Sequence, residues 1–223
     1  PERFPNGLGP LVERARARNV QIGLWFAPDS WSEMANWRRD TDRVLQLHRD
    51  LGVEHFKIDS VMAATQRAGD NLHAFLDAVL AESHGRVVFD LDITAGVRPG
   101  YFGAIPIGPL FVENRYTDWR NYWPHQTLAN LWKLAHWIDP RRLRIELLNN
   151  ARNADKYADD PLAPARYAPA TLFATAMFAN PLGWFAVPNL PAPHIDSVAH
   201  LVSIWKTHRQ DIFSCVTMPI GPQ

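Results

Sequence analysis

The sequence predicts an α/β fold, in which helices cover a parallel sheet. Short apolar runs typical of strands alternate with longer amphipathic runs typical of helices along the chain. Four of the six helices lie between two strands, as a helix does where a crossover returns the chain to start the next parallel strand. Polar residues also follow the strand-like runs directly, at the edge of the sheet where barrel enzymes carry their active sites. These residues are Asp29, Asp59, Asp92, Glu113 and Asn149.

In the first half of the chain, apolar residues at helical spacing predict three helices, and short apolar runs predict three strands. Pro28 ends the first strand. Gly52 and Gly85 end the second and third helices, because glycine readily adopts the left-handed conformation found after a helix. The predicted helices are 8–18, 37–51 and 70–84, and the predicted strands are 20–26, 53–59 and 86–92.

The second half of the chain repeats this pattern. Pro124 suits the first turn of a helix, where no backbone N–H is needed. A long polar loop over 150–169 is typical of the rim of an active site. Six strands cannot close an eight-stranded barrel, so either two strands precede Pro1 or the sheet is open. The predicted strands are 110–114, 143–149 and 182–185, and the predicted helices are 124–137, 171–178 and 195–209.

Composition excludes several classes of function. The chain has 223 residues, enough for one large domain. Its 23 basic and 23 acidic residues leave no charge excess that would favour nucleic acid or an anionic membrane surface. The lone Cys215 excludes an internal disulfide framework, the nine histidines lack the spacing of metal ligands, and no apolar run reaches the length of a membrane span. We therefore predict no metal, no cofactor, and neither a nucleic acid nor a membrane as partner.

The first seven residues do not read as a signal peptide. They resemble the interior of a larger protein instead. The sequence therefore does not determine the cellular compartment, although it slightly favours the cytoplasm. The sequence is also compatible with a homo-oligomer.

Lys57 and Asp59 end the second predicted strand and are two residues apart, so both side chains project to one face of the sheet. A cation beside a carboxylate favours the ionised form that a nucleophile needs. The alternative is an ion pair that only braces a loop. Lys57 could also form a Schiff base with a carbonyl substrate, but a neighbouring carboxylate would keep its amine protonated and unreactive.

Nine tryptophans are a high number for this length, and several lie beside turn signals. Aromatic faces in such places suit sugar rings, whose C–H groups pack on a π face. Trp25 shares a strand face with Gln21 and Gly23, so it is predicted to face a cavity. There it would either stack on a sugar or fill the end of the sheet.

Four motifs resemble one known family. Residues 4–8 read Phe-Pro-Asn-Gly-Leu, residues 23–28 Gly-Leu-Trp-Phe-Ala-Pro, residues 57–59 Lys-Ile-Asp, and residues 205–209 Trp-Lys-Thr-His-Arg. In order and spacing, these segments resemble the melibiase-type α-galactosidases of glycoside hydrolase family 36, over nearly the whole chain. The resemblance implies a TIM (β/α)8 barrel, of which this chain covers about strands 3 to 8. It places residues 1–212 in that barrel and residues 213–223 in a linker towards a C-terminal β domain.

The same resemblance implies a glycosidase of carbohydrate metabolism that acts on terminal α-linked sugars, with retention, by a two-carboxylate double displacement. Asp59 matches the catalytic nucleophile of the family. The glycine-rich strand of the family is replaced here by residues 90–98, with Arg98 as the remaining match. Asn114 or Arg115 stands where the family has its proton donor. Neither can protonate a glycosidic oxygen, so specificity for galactose does not follow.

The second carboxyl group is therefore sought among Asp118, Glu113 and Asp92. Asp118 is preferred, because apolar contact with Tyr116 and Trp119 would favour the protonated form. A non-catalytic carbohydrate-binding relative is the alternative. The chain alone is expected to be inactive, since a barrel that lacks two strands has open edges. The predicted substrate-binding residues are Trp25, Asp29, Lys57, Asp92, Arg98 and Trp119.

Overall fold

The computed structural model describes residues 3–93, 106–112 and 115–221. Its internal contacts divide the chain into two compact units, Pro1–Leu110 and Phe111–Gln223. Helices alternate with strands, and the six strands of the described residues are hydrogen-bonded in chain order. The α/β class predicted from the sequence is therefore confirmed, whereas the numbering of these strands within an eight-stranded barrel stays a prediction.

The first unit contains three helices and three strands. The Thr65 side chain caps the third helix by accepting a hydrogen bond from the Ala68 N–H at 3.2 Å, so this helix begins before the predicted residue 70. The helices are α1 (Gly9–Arg16), α2 (Trp37–Leu51) and α3 (Gln66–Glu82), and the strands are β1 (Gly23–Phe26), β2 (His55–Ile58) and β3 (Val88–Asp92). β2 pairs in parallel with β1 on one side and with β3 on the other.

Alternation along β2 places its apolar side chains in the core of the first unit. Phe56 and Ile58 are fully buried, and Lys57 between them lies on the opposite face. Phe75 of α3 packs against two aromatic rings of the strands, with centroid distances of 6.1 Å to Phe26 and 6.0 Å to Phe89. This apolar layer fixes α3 on one face of the strands and leaves the other face for polar side chains.

The short strand β4 (Leu110–Phe111) lies where the two units meet in the sequence. The helices that follow are α4 (Pro124–Leu134), α5 (Pro169–Ala176) and α6 (Ala192–Ser214), and the strands are β5 (Leu143–Leu148) and β6 (Asn180–Trp184). β5 and β6 pair in parallel. All of these elements overlap runs that the sequence predicts, although α5 and β6 each begin two residues early and α6 extends beyond its predicted run at both ends.

The core of the second unit lies between β5 and the helices that follow. Ile145 of β5 and Phe173 of α5 are buried in it, and Val198 of α6 packs against it. The indole N–H of Trp205 donates to the Met177 carbonyl at 2.9 Å, which ties α6 to the end of α5. In the part of the chain that the structure describes, no helix is both long and apolar enough to cross a bilayer.

The predicted loop over 150–169 is folded onto the second unit. It contains two short 3₁₀ helices, Ala154–Tyr157 and Pro164–Arg166. Tyr157 is almost fully buried. The Asn150 side-chain amide donates to the carbonyls of Pro164 and Tyr167 at 3.0 and 2.8 Å. These contacts fix the first residues of the loop, which continue from β5.

Candidate active site

The ends of β1, β2 and β3 bring three of the predicted site residues together. In the parallel register, Trp25 lies beside Lys57, and Lys57 lies beside Asp90. The next residue on the same face of β3 is Asp92. The Lys57 Nζ forms an ion pair with the Asp92 Oδ2 at 2.7 Å. The same ammonium lies 4.5 Å from the centroid of the Trp25 ring, in a cation–π contact.

This strand-end cluster of Trp25, Lys57 and Asp92 is buried on its charged side and open on its aromatic side. The side chains of Lys57 and Asp92 are 14% and 5% exposed, whereas Trp25 is 61% exposed. Burial strengthens the attraction between opposite charges, because the effective dielectric constant is lower than in water. The Lys57 ammonium is therefore fixed between Asp92 and the Trp25 ring, and that ring stays accessible to a ligand.

Asp59 lies at the carboxyl end of β2, where the sequence places it. Its N–H donates to the Phe26 carbonyl at 3.0 Å, so hydrogen bonding to the neighbouring strand continues to Asp59. Its side chain is partly buried, and its Oδ1 accepts a hydrogen bond from the Ser60 N–H at 2.6 Å. The ion pair expected between Lys57 and Asp59 is instead one between Lys57 and Asp92, because the parallel register brings β3 beside the ammonium.

Asp29 lies in the loop after β1, within a network of hydrogen bonds. Its carboxylate accepts from the Asn36 amide at 2.9 Å and the Trp31 N–H at 3.1 Å, and it pairs with Arg39 at 2.7 Å. Asn36, the Trp31 N–H and Arg39 together lower the pKa of Asp29. The Asp29 N–H donates to Asp40 at 2.7 Å, and burial raises the pKa of Asp40. Asp29 therefore braces this loop, and its role in substrate binding stays a prediction.

The same loop contains a left-handed turn. Ser32, Glu33 and Met34 have φ values of 49°, 58° and 60°. This conformation costs about 1–2 kcal/mol for each residue that carries a side chain. Met34 is fully buried, and the Asn71 side chain of α3 donates to the Glu33 carbonyl at 2.8 Å. Strained backbone of this kind persists only where its surroundings hold it, and it is concentrated at functional sites.

In the second unit, Asp118 lies on the 3₁₀ helix Thr117–Trp119. Its Oδ1 accepts hydrogen bonds from the Arg152 guanidinium and the Asn153 amide, both at 3.0 Å. The side chains of Asp118 and Arg152 are 42% and 60% exposed. The sequence predicts apolar contact for this carboxylate, whereas the structure gives it polar partners because the loop after β5 folds against it. Both bonds end on Oδ1, so a proton on Oδ2 would break neither.

A cleft of about 430 Å³ opens beside Asp118. Tyr116 on its wall contacts two other rings, Trp119 at 4.7 Å, edge to face, and Trp184 at 6.2 Å between centroids. Trp119 itself is 63% exposed. The volume is typical of small-molecule sites, and a wall of rings and hydrogen-bonding groups suits a sugar. Other residues of the wall are Asn149, Arg152 and Phe185.

Glu146 and Asn149 of the fifth predicted strand have opposite parity, so the sequence predicts that they cannot share one face. Glu146 is fully buried, and its Oε1 accepts a hydrogen bond from the Arg115 N–H at 3.1 Å. Asn149 lines the cleft, and its side-chain amide donates to the Asn189 carbonyl at 2.9 Å. Glu146 therefore holds the chain that leads to Asp118, while Asn149 offers its side chain to the cleft.

Two predicted residues, Arg98 and Glu113, lie outside the described residues, so their roles stay predictions. The sequence does not predict Arg152 as a site residue, and it indicates Trp184 only as one of several tryptophans beside turn signals. Trp184 ends a strand, which is a usable signal, whereas the placement of Arg152 depends on a loop that no periodic pattern describes. Within the described ranges, no group of three or more metal-binding side chains comes together.

No family model and no curated protein matches the sequence, but solved structures share its fold. The α-galactosidase from Lactobacillus brevis matches with a TM-score of 0.70 and 12% identity, over 94% of this chain and 33% of its own. A variant of the family 36 α-galactosidase AgaA from Geobacillus stearothermophilus, in complex with raffinose, matches with a TM-score of 0.69 and 13% identity, over 92% of this chain and 33% of its own. The family 36 α-galactosidase AgaB from the same organism matches with a TM-score of 0.69 and 12% identity, over 94% of this chain and 34% of its own.

What these matches define is a fold, which this chain shares with part of two α-galactosidase structures. More particularly, the chain resembles part of the family 36 α-galactosidases, and the resemblance inferred from the four motifs is confirmed at the level of the fold. The chain spans about one third of the length of the structures that it matches. Identities of 12–13% establish the fold alone.

Proposed function

We propose that the protein containing this chain is a retaining α-glycosidase that hydrolyses terminal α-linked sugars. The strand-end cluster supports this proposal, because Asp59 directly follows the strand whose Lys57 is held by Asp92 and Trp25. An accessible indole offers a stacking face to a sugar, a fixed ammonium offers hydrogen-bond donors, and Asp59 offers a nucleophile. The fold shared with α-galactosidases supports α-galactosides as the first substrates to test.

In the proposed reaction, Asp59 attacks the anomeric carbon, and the bond to the leaving-group oxygen breaks to give a glycosyl ester. A second carboxyl group gives its proton to that oxygen as the bond breaks. It then takes a proton from the water that hydrolyses the ester and regenerates Asp59. A retaining mechanism requires the two carboxyl groups to be about 5–5.5 Å apart.

We propose Asp118 for the second role, ahead of Glu113. Asp92 is less suitable, since it is 5% exposed and paired with Lys57 at 2.7 Å. Asp118 lies on the wall of a cleft of suitable volume. To act as an acid it must carry a proton on Oδ2 while its Oδ1 keeps Arg152 and Asn153.

A panel of nitrophenyl α-glycosides, tested on the full-length protein, is the first experiment. We expect turnover of at least one glycoside, with retained configuration of the released sugar by NMR. Asp59→Asn should lower kcat/KM by more than about 10⁴-fold, the upper end of what a general acid contributes. Asp77→Asn is the matched control, because this carboxylate is exposed on α3. Turnover that survives Asp59→Asn would contradict the whole scheme.

The acid is identified by comparing two leaving groups. Asp118→Asn should slow hydrolysis of a disaccharide by about 10²–10⁴-fold. It should slow the nitrophenyl glycoside less at the first step, because nitrophenolate leaves without a proton. Glu113→Gln is tested on the same two substrates. If Glu113→Gln gives this signature and Asp118→Asn does not, Glu113 is the acid and our assignment is wrong.

A non-catalytic carbohydrate-binding protein is the second candidate. The ion pair of Asp118 with Arg152 favours it, because that pair occupies an oxygen of the carboxylate that the acid role would use. Calorimetric binding of a galactoside together with no turnover on the panel would support it. A Schiff-base lyase is a weaker alternative, since the Lys57 Nζ is already engaged by the Asp92 carboxylate at 2.7 Å and its side chain is only 14% exposed. Borohydride with a carbonyl substrate should therefore leave Lys57 unmodified.

A further inference from the structure

Trp31 is a large aromatic side chain held out from the first unit. It is 83% exposed, and it begins the left-handed turn that continues through Met34. Three successive residues of this turn carry side chains and still have positive φ values. A chain without special constraints avoids this conformation, so the direction in which Trp31 leaves the backbone is imposed by its surroundings.

The first constraint on the turn comes from the N-terminal end of α3. The Asn71 side chain donates to the Glu33 carbonyl at 2.8 Å, and the Thr65 hydroxyl donates to the Glu33 carboxylate at 2.7 Å. Met34 is fully buried and anchors the turn from within. The indole of Trp31 is therefore carried by a rigid support, although most of its surface is in water.

The second constraint connects Trp31 with Asp59. The Ser30 hydroxyl donates to the Ser60 carbonyl at 3.1 Å and accepts from the Met62 N–H at 3.2 Å. The Ser60 N–H in turn donates to the Asp59 carboxylate at 2.6 Å. Trp31 is thus one residue, about 3.8 Å of chain, from a serine that is bonded to the residue after Asp59.

We propose that Trp31 is a stacking platform for the second sugar of an oligosaccharide whose terminal sugar is bound at Asp59. This proposal rests on the proposed function of Asp59. A rigid, exposed ring presents an apolar face at low entropic cost, and sugar rings pack on such faces through their C–H groups. Trp25, 61% exposed in the strand-end cluster, serves the terminal sugar, and Trp31 on the neighbouring loop serves the next one.

Trp137 provides a matched control within the same chain. It is 87% exposed, close to the value for Trp31, but it follows α4 in the second unit. Loss of this ring changes surface hydrophobicity as much as loss of Trp31 does. An effect that is shared by both variants therefore reports a general change of the surface, and an effect confined to Trp31 reports a site.

The kinetic test compares raffinose, a trisaccharide, with α-galactosyl fluoride, whose leaving group is a single atom. Trp31→Ala should lower kcat/KM for raffinose by about two- to tenfold and leave the fluoride unchanged. Trp31→Phe should retain most of the activity, and Trp137→Ala should lose none. An equal effect of Trp31→Ala on both substrates, or no effect on either, would overturn the proposal.

A binding test separates this proposal from the proposed function. In protein labelled with 5-fluorotryptophan, the Trp31 resonance is the one that disappears in Trp31→Phe. Raffinose should shift this resonance and leave that of Trp137 in place. If the shift occurs without any turnover, the proposed glycosidase function is wrong, and the proposed role of Trp31 in binding is supported. If turnover occurs without the shift, the platform is wrong. A shift caused by an unrelated protein but not by raffinose would indicate a protein-binding surface and would also overturn it.

Discussion

The two candidate carboxylates are held by different kinds of structure. Asp59 directly follows β2, and the charged neighbours at this strand end, Lys57 of β2 and Asp92 of β3, are 14% and 5% exposed. Asp118 lies on a 3₁₀ helix, and its partner Arg152 lies on a loop, with exposures of 42% and 60%. Backbone hydrogen bonds of the sheet position the Lys57–Asp92 pair beside Asp59, and this pair is shielded from water. The folding of two loops positions the Asp118–Arg152 pair, so this pair is the more easily rearranged of the two.

The largest expected difference between the two pairs is in stability. Asp92→Ala removes the ion-pair partner of a largely buried ammonium, so the free energy of unfolding should fall by about 3–5 kcal/mol. Urea unfolding followed by circular dichroism measures this change. Asp92→Asn keeps the shape and a hydrogen-bond acceptor, and it should cost less. A loss below about 1 kcal/mol for Asp92→Ala, the range of exposed pairs, would remove the contrast.

The left-handed turn gives the next largest effect, in the opposite direction. Ser32 is exposed and has a φ of 49°. Ser32→Gly should raise the free energy of unfolding by about 1 kcal/mol, because glycine adopts this conformation without strain. Ser32→Ala keeps the strain, so it should stay within about 0.5 kcal/mol of the original protein. A destabilised glycine variant would show that the turn carries no strain.

The exposed pair is expected to contribute less. Arg152→Ala should lower the free energy of unfolding by at most about 1 kcal/mol. This loss should shrink at 1 M salt, where charges are screened beyond about 3 Å. Arg152→Lys, which keeps the charge, serves as the control in the same denaturation series. A large loss of stability that does not depend on salt would show that the Arg152 pair behaves like the buried Lys57–Asp92 pair, and it would contradict this prediction.

The smallest expected effect is on the stability of the fold at acid pH. Hydrogen bonds from Asn36 and the Trp31 N–H, with the Arg39 charge, lower the pKa of Asp29 in the folded protein. Its folded pKa is below its unfolded pKa, so Asp29 stabilises the fold above about pH 4. This contribution is lost as the pH falls through the folded pKa. Asp29→Asn should therefore flatten the pH dependence of stability below about pH 4, and an unchanged acid limb would contradict the assignment.

Asp160 offers the same measurement in the second unit. The Leu162 N–H and the Trp123 indole lower its pKa, and their hydrogen bonds are 2.8 and 2.9 Å long. The sign is the same as for Asp29. Asp160→Asn should also flatten the acid limb, which makes it an independent second test of the same effect.

The elements of the fold could be predicted because their signals are local. α2 begins and ends at the predicted residues, Trp37 and Leu51, since apolar spacing defines it and Gly52 ends it with a φ of 66°. α3 begins at Gln66, four residues before the predicted position, because the Thr65 side chain caps its first turn. The fold that the chain shares with an α-galactosidase agrees with the resemblance of the four motifs.

The candidate site could be predicted only in part. Strand parity is a local property, and it places Lys57 and Asp59 at the end of β2. The partner of Lys57 is Asp92, which is 35 residues away in the chain, and the register of two strands decides this contact. The partner of Asp118 is Arg152, and the folding of a loop without periodicity decides that one.

By itself, the sequence determined which residues end strands, which begin and end helices, and which family the motifs resemble, because each of these depends on residues close together in the chain. Tertiary structure alone decided which charges neutralise one another and which rings stay exposed. The physical reason is that Coulomb energy and burial depend on distance in space, and strand register and loop packing set that distance.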